Sequence, residues 1–346
     1  MQNNIEDYLK YYKNLSLKDN KWNLMDNLIC AILAYLPLKS FENSRSLKDC
    51  VKEVIDLKIV TKNVMMNGIL AICKELVSSK RYANAKISNF VNNKGSDVSF
   101  GALTLTLDNI KVISFKGSDS STVSWLENFR LWYQYPTLTQ KLAIDYLHEN
   151  ISMFDTNIYI VGHSKGGNLA EVSALEMNPL YLPKLKNVVS FDGPGLRPDE
   201  FNSVKYKAIA RKLICIIPSN SVVGPLMYNK TPLVIKTNAL GINGHYPNNW
   251  LTYGEFFVKG TQSSLSKRIH DSSLNSFAEI KREEMMEGVE AIFDALNKQS
   301  DSVKINFKDF MEIYKNLTNI DPKVKKYIDE IMNTLISGMS NNKRND

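Results

Sequence analysis

The sequence predicts an α/β fold in which a mostly parallel central sheet is flanked by helices, with helical additions at both ends. Three observations predict it. Short apolar, β-branched runs alternate with helical segments through the middle of the chain, and apolar residues recur at helical spacing near both ends. With 346 residues, 44% of them hydrophobic, the chain can bury a large core. We expect a helical lead-in over residues 1–90, a core over 91–262 and a helical C-terminal extension over 263–346.

The lead-in is expected to be mostly helical and to pack on the core. An apolar residue recurs at every fourth position before Pro37: Leu24, Leu28, Ile32 and Leu36. A second helical stretch is predicted over residues 51–80, with a break near Asn67 and Gly68.

No targeting or membrane segment is expected. The polar N-terminus has no basic stretch followed by an apolar one, as a signal peptide would. The apolar run from Leu28 to Leu36 is about half of the ~20 residues that a membrane-spanning helix needs. The four cysteines are scattered and predict neither a disulfide framework nor a zinc site. These features predict a soluble, cytoplasmic protein.

The chain is basic, with a net charge of +7. Such an excess suits an anionic membrane surface or a phosphate-bearing partner, but a generally lysine-rich composition is the simpler explanation. The basic groups at 323–326 and 343–344 are too short for a nucleic-acid-binding arm. No nucleic-acid partner is expected, and peripheral contact with a membrane stays open.

The core begins with a predicted hairpin. Residues 98–107 and 111–116 read as strands, and Asp108–Asn109 between them is a turn signal. Four short apolar runs then predict parallel strands: 157–161, 187–191, 213–217 and 233–236. Helices are predicted over five further stretches: 136–154, 168–177, 198–211, 276–298 and 322–337.

Ser164 is the candidate nucleophile. It lies in Gly162-His163-Ser164-Lys165-Gly166, between a predicted strand and a predicted helix. A Gly-x-Ser-x-Gly sequence in this context forms a sharp turn that presents the serine at the top of a sheet. The helix that follows directs free N–H groups and positive dipole at a developing oxyanion. The alternative is a structural turn with a surface serine.

A nucleophilic serine needs a general base, and His245 is the best candidate among four histidines. It lies in the loop after the last predicted strand, which is where an α/β hydrolase places its base. His148 is expected at the surface, and His163 should point away from the nucleophile as a packing residue. His270 should be solvated at the start of the C-terminal helices.

The acid should lie between the serine and the histidine in the sequence. Asp192 ends a predicted strand and is followed by Gly193. A carboxylate at that end of a strand is placed to hold an imidazole in one tautomer. The alternatives are a plain turn aspartate at 192 and a weaker orienting role for Ser221, because the loop after residue 217 has no carboxylate.

An oxyanion hole takes one backbone N–H from the residue after the nucleophile and one from an earlier strand-end loop. Lys165 is the first of these. Gly117-Ser118, after the strand over 111–116, fits the second. The alternative for Ser118 is an ordinary polar turn.

At these motifs the chain resembles an uncharacterised bacterial branch of the α/β-hydrolase superfamily, which is similar to the class 3, fungal-type lipases. Four segments carry the resemblance: FKGSD at 115–119 with Trp125, VGHSKGGNLA at 161–170, FDGPG at 191–195, and NLMDNL at 23–28 with Tyr35. The resemblance implies Ser164 as nucleophile, His245 as base and Ser118 as an oxyanion donor. Class 3 lipases place an aspartate where this chain has Ser221.

The sequence thus predicts an α/β-hydrolase fold and a serine hydrolase of the lipase, esterase or phospholipase type. Its triad would be Ser164, His245 and Asp192, its substrate a small-molecule or lipid acyl ester, and no cofactor or metal is expected. Two apolar segments are candidates for an acyl pocket or for ordinary core packing: Trp125, Phe129, Trp132 and Tyr133, and the loop 224–227. The other hypothesis is a weak or inactive hydrolase-fold protein that binds or regulates.

Overall fold

The computed structural model describes residues 3–95, 98–119, 122–299 and 320–329. Among these residues, eight strands form one sheet in chain order. Strands β1 to β4 pair antiparallel, and β4 to β8 pair parallel. The strands are β1 (Arg45–Ser46), β2 (Lys86–Lys94), β3 (Ser99–Leu107), β4 (Ile110–Phe115), β5 (Asn157–His163), β6 (Leu185–Phe191), β7 (Leu213–Pro218) and β8 (Leu233–Ile235), with a separate hairpin of β9 (Thr252–Tyr253) and β10 (Phe256–Phe257).

Helices cover the sheet on both faces, so the mostly parallel α/β fold is confirmed. They are α1 (Ile5–Tyr12), α2 (Leu24–Leu33), α3 (Leu47–Asp56), α4 (Val64–Leu76), α5 (Thr122–Tyr133), α6 (Leu138–Asn150), α7 (Lys165–Leu175), α8 (Pro198–Phe201), α9 (Val204–Ile209), α10 (Ser264–Glu279) and α11 (Arg282–Gln299). Seven of them begin after a capping side chain: Asn4, Asn23, Ser46, Asn63, Thr137, Ser203 and Ser263. Three short 3-10 helices lie at Pro179–Lys184, Gly241–His245 and Pro247–Asn249.

The N-terminal region is less purely helical than predicted. Strand β2 crosses residue 90 and joins the sheet beside β3. The expected break near Gly68 is wrong, because Gly68 lies inside α4 and the chain breaks between α3 and α4 instead. Gly68 is needed for a close approach rather than a break: a Cβ there would lie 3.0 Å from the Cβ of Asn248.

The predicted hairpin is confirmed, since β3 and β4 pair antiparallel across the turn at Asp108. The parallel register aligns the carboxyl ends of the strands that follow. Phe115 is level with Gly162, and His163 is level with Phe191. Phe191 is in turn level with Ile216. The loops after β4, β5, β6 and β7 therefore leave the sheet at one edge.

Two cores lie on opposite faces of the sheet. Helices α1 to α4 pack on one face, around residues such as Leu28, Ile32 and Trp250. Helices α6 and α7 pack on the other, around Leu147, Leu169 and Val172. A buried, bidentate ion pair between Arg81 and Asp26 ties the N-terminal helices to the chain that enters β2, with distances of 2.8 and 2.6 Å.

The C-terminal helices form a third apolar cluster with α5 and the loop after β7. Its buried members include Trp132, Val222, Met285, Val289 and Val324. The single helix expected over 276–298 is wrong, because the chain leaves the helical conformation at Ile280 and restarts at Arg282. Residues 322–329 are helical as predicted, and 330–337 lie outside the described residues. In the described part of the chain, every helix is too short or too polar to cross a lipid bilayer.

Candidate active site

Ser164 lies on a strained turn between β5 and α7. Its φ of 59° and ψ of −135° place it in a backbone region that residues with a side chain seldom adopt. Its N–H donates to the Phe191 carbonyl at 2.9 Å, and its own carbonyl accepts from Gly167 at 2.8 Å. Helix α7 begins at Lys165 rather than at Asn168, and Ser164 occupies its N-cap position without a side-chain capping bond.

The two glycines of the motif permit this turn. A Cβ on Gly162 would lie 2.0 Å from the Gly166 carbonyl oxygen, and one on Gly166 would lie 2.1 Å from the Phe115 carbonyl oxygen. The helix therefore approaches both β5 and β4 more closely than a side chain allows. The loop after β4 reaches the serine as well, since a Cβ on Gly117 would lie 2.8 Å from the Cβ of Ser164.

Asp192 and His245 meet beside this turn. The His245 Nδ1 and the Asp192 Oδ2 are 2.6 Å apart, and both residues are buried. Because the carboxylate only accepts, the contact assigns the proton to Nδ1 and leaves Nε2 as the acceptor. No described residue bonds Nε2, so that nitrogen has the state a general base requires.

Ser221 supports the acid rather than the histidine. Its hydroxyl donates to the Oδ1 of Asp192, and the Gly224 N–H donates to the same oxygen at 3.1 Å. The carboxylate thus accepts three hydrogen bonds in a fully buried position. The loop after β7 supplies donors to an acid that stands at the end of β6.

The serine and the histidine are not hydrogen-bonded to each other. In the described part of the chain, the Ser164 hydroxyl makes no hydrogen bond with either ring nitrogen of His245. Catalytic hydrogen bonds of this kind are often long in unliganded enzymes and tighten with substrate. The structure therefore joins the predicted acid and base directly and places the serine turn beside them.

His163 holds the histidine loop, as the predicted packing residue. Its Nε2 donates to the carbonyl oxygen of His245 at 2.9 Å, and its Nδ1 accepts from the Tyr35 hydroxyl at 3.0 Å. Burial, with a smaller contribution from His245, holds the pKa of His163 well below its ordinary value. A neutral His163 keeps one donor for the loop and adds no charge beside the base.

The predicted oxyanion donors flank the serine. Within the described residues, the N–H groups of Lys165 and Ser118 donate to no protein acceptor. The neighbouring Gly117 N–H is occupied, because it donates to the Tyr35 hydroxyl at 2.9 Å. The Ser118 hydroxyl is turned away, towards the Asn128 side chain at 3.2 Å. In the described part of the chain, both N–H groups are therefore unpaired: Lys165 follows Ser164 directly, and Ser118 follows Gly117, which approaches Ser164.

The Lys165 side chain makes a contact that the sequence did not indicate. Lys165 is 1% exposed, and its Nζ lies 2.8 Å from the Oε2 of Glu127 on α5. A lysine in a buried helix needs an anionic partner, but the sequence offers many carboxylates. The tertiary structure selects Glu127 by bringing α5 to the first turn of α7.

Other acidic residues and histidines of the core have their own partners. Asp199 and Glu200, which lie between Ser164 and His245 in the sequence, pair with Arg197. His148 is exposed as expected, and His270 is half-buried rather than fully solvated. Its Nδ1 bonds the Pro225 carbonyl at 3.0 Å, because α10 covers the loop after β7.

The segments considered for an acyl pocket pack mainly in the core. Trp132 stacks on Phe277 with ring centroids 4.5 Å apart, and the Tyr133 hydroxyl donates to Glu290. In the loop 224–227, the Met227 N–H donates to Ser273 on α10 at 2.8 Å. Phe129 packs against the same C-terminal cluster, and the Trp125 side chain lies outside the described residues.

The chain is thus an α/β protein whose sheet carries, at its carboxyl edge, a serine on a strand-to-helix turn beside a buried aspartate–histidine pair. Residues 76–294 match the family model described as Mbeg1-like. This match covers more than half of the chain, so the chain belongs to the Mbeg1-like family. A search of curated proteins finds no match.

Solved structures of low identity also match the chain. The lipase of Rhizopus microsporus var. chinensis is 12% identical, covering 67% of this chain and 87% of that one, with a TM-score of 0.38. The propeptide complex of the Rhizomucor miehei lipase is 13% identical, covering 62% and 69%, with a TM-score of 0.37. A mutant of MDLA from Penicillium cyclopium is 15% identical, covering 54% and 78%, with a TM-score of 0.36.

Proposed function

We propose that this protein is a serine hydrolase that cleaves a carboxylic ester, of the lipase, esterase or phospholipase type. The observation that carries the proposal is the 2.6 Å contact between Asp192 and His245 beside the strained turn of Ser164. Ser164 is the nucleophile, His245 the general base and Asp192 the residue that orients it. The N–H groups of Lys165 and Ser118 form the oxyanion hole.

Acylation follows from these positions. The Ser164 oxygen attacks the ester carbonyl carbon while its proton passes to the Nε2 of His245. The carbonyl electrons move to oxygen, and the two N–H groups stabilise the resulting oxyanion. When the tetrahedral intermediate collapses, the bond to the alkoxide breaks and His245 returns the proton to the leaving oxygen. The acyl group stays on Ser164.

Deacylation repeats these steps with water as the nucleophile. His245 takes a proton from water, the hydroxide adds to the acyl carbon, and the Ser164 oxygen leaves with the proton that His245 returns. Asp192 holds the ring in one tautomer throughout and stabilises the imidazolium that forms in each half-reaction. The proposed reaction uses side chains and backbone N–H groups of the chain and one water molecule.

The substrate in this proposal is a small-molecule or lipid acyl ester. We also propose a cytoplasmic location, which is supported by four cysteines that are all unpaired and buried. Contact with a membrane surface is left to experiment. An activity profile over p-nitrophenyl esters of increasing chain length, with and without anionic vesicles, measures both the acyl preference and the effect of a surface.

A fluorophosphonate probe tests the nucleophile, because an activated serine attacks its phosphorus, displaces fluoride and becomes phosphonylated. The wild type is expected to be labelled, and Ser164→Ala should lose the label completely. His245→Ala should slow labelling by about 10²- to 10⁴-fold, the usual contribution of a general base. Labelled peptides identified by mass spectrometry should contain residue 164.

Two control variants make the result specific. Ser78→Ala removes an exposed serine and His148→Ala an exposed histidine, and both should be labelled at the wild-type rate. A wild type that resists the probe and hydrolyses no ester at any chain length would overturn the proposal. The missing hydrogen bond between Ser164 and His245 favours a second candidate in that case: a hydrolase-fold protein that binds or regulates without turnover.

A further inference from the structure

Helix α5 contacts both segments that carry the proposed oxyanion donors. Glu127 on α5 pairs with the side chain of Lys165, whose own N–H is one donor. Asn128, the next residue of α5, accepts from the hydroxyl of Ser118, whose N–H is the other donor. One helix therefore holds the loop after β4 and the first turn of α7 together.

Both oxygens of the Glu127 carboxylate have polar partners in this arrangement. Its Oε2 binds the Lys165 ammonium at 2.8 Å, and its Oε1 accepts from the Thr139 N–H at 3.0 Å and from the Thr137 hydroxyl at 3.4 Å. The second oxygen thus caps helix α6. Glu127 is 5% exposed, so no water competes freely for these contacts. The carboxylate links α5, α6 and α7 at the nucleophile turn.

We infer that Glu127 is a positioning residue for the oxyanion hole and acts through the side chain of Lys165. Because the donor N–H and the anchored ammonium belong to the same residue, the ion pair restricts rotation of the peptide between Ser164 and Lys165. A donor stabilises the oxyanion only when it is fixed in place before the reaction. This inference rests on the proposed function, since it assigns Glu127 a part in the same reaction.

The test compares Glu127→Gln with the wild type in hydrolysis of p-nitrophenyl butyrate and in inhibition by butylboronic acid. The boron accepts the serine oxygen and becomes a tetrahedral anion, so its affinity reports on the oxyanion hole. We expect kcat to fall about 10- to 100-fold, because misplacing a catalytic group by about 1 Å costs about 10²-fold. KM should stay within about twofold, and the boronate inhibition constant should rise about as much as kcat falls.

Three controls separate positioning from general damage. Glu127→Asp keeps the charge on a shorter side chain and should recover part of kcat. Asp155→Asn removes the ion pair between Asp155 and Lys111, which has the same 2.8 Å length and lies at the opposite edge of the sheet. This variant should change neither kcat nor the boronate inhibition constant. The acidic limb of the pH profile of kcat/KM should be the same in Glu127→Gln and wild type, because the contact between Asp192 and His245 is untouched.

The outcomes are distinguishable. A wild type that neither reacts with fluorophosphonate nor hydrolyses esters removes the proposed function and this inference with it. An active wild type with an equally active, folded Glu127→Gln overturns the inference alone. Should Glu127→Gln fail to fold, Glu127→Gln/Lys165→Met leaves no unpaired buried charge and is expected to fold with the same loss of kcat. Wild-type kcat in that double variant overturns the inference.

Discussion

At the scale of single residues, Asp192 is held by hydrogen bonds from three other residues. It stands at φ 52°, fully buried, and its two oxygens accept from His245, Ser221 and Gly224. Hydrogen bonds to a charged acceptor are stronger than neutral ones, so these three donors stabilise a carboxylate in an apolar setting.

Ser221→Ala tests that support. Losing a hydroxyl that donates to a buried carboxylate should lower the free energy of unfolding by about 1.5–3 kcal/mol, measured by urea denaturation. Esterase activity should fall as well, because Asp192 is held less firmly. Ser219→Ala is the matched control: this hydroxyl donates to the neutral Ile235 carbonyl at 3.0 Å and should cost about 1 kcal/mol without loss of activity. Equal losses in the two variants would contradict the assigned role of Ser221.

At the scale of elements, an ion pair and hydrogen bonds join the C-terminal helices to α5. Glu290 on α11 forms a bidentate pair with Arg130, at 2.8 and 2.7 Å, and accepts from the Tyr133 hydroxyl. Trp132 donates to Ser276 at 2.7 Å on α10. Arg130 holds the pKa of Glu290 below its ordinary value, so these contacts weaken only as the pH falls through that lowered pKa.

Glu290→Gln should therefore make local unfolding of α5 more frequent. The pair is partly exposed, with side chains 28% and 39% accessible, so its contribution is limited to about 1 kcal/mol after screening by solvent. That energy corresponds to amide exchange about fivefold faster in residues 122–133, measured by hydrogen–deuterium exchange and mass spectrometry. Glu287→Gln, an exposed residue of the same helix, should leave the exchange unchanged. Unchanged exchange in Glu290→Gln would show that the apolar contacts alone hold α5.

At the scale of the whole molecule, one buried carboxyl links stability to pH. Glu171 lies on α7 behind the nucleophile turn, and burial raises its pKa from 4.5 to about 8. Its Oε1 receives a long contact of 3.7 Å from the Cys215 thiol, and among the described residues its Oε2 has no hydrogen-bond partner. The folded protein therefore holds a proton at neutral pH that the unfolded chain releases.

The sign of the pH dependence follows from that proton. Between pH 4.5 and about 8 the folded state binds more protons than the unfolded state, so stability is greatest at the acidic end and falls as the pH rises. The slope contributed by Glu171 is at most about 1.4 kcal/mol per pH unit. Glu171→Gln should remove it, as measured by urea unfolding from pH 5 to 8. The exposed Glu149→Gln is the control, and a slope that persists in Glu171→Gln would contradict this assignment.

Much of the fold could be predicted from the sequence because it depends on local patterns. The hairpin of β3 and β4, the parallel strands after it and the turn of Ser164 all follow from alternation, β-branched runs and glycine spacing. Strand β2 does not follow from the sequence, because its polar, asparagine-rich segment has no strand-like apolar alternation. Its partner β3 places it in the sheet.

Local sequence is enough to specify the residue types at the carboxyl edge of the sheet and the strained turn at Ser164, since both are set within a few neighbouring residues. Which of these groups meet depends on the folded arrangement of the whole chain. Asp192 and His245 are 53 residues apart, and Lys165 and Glu127 are 38 apart. Such pairs form because strand register and helix packing bring distant segments together. A buried carboxylate or ammonium then pairs with the group that packing has placed next to it, and local sequence does not encode which group that is.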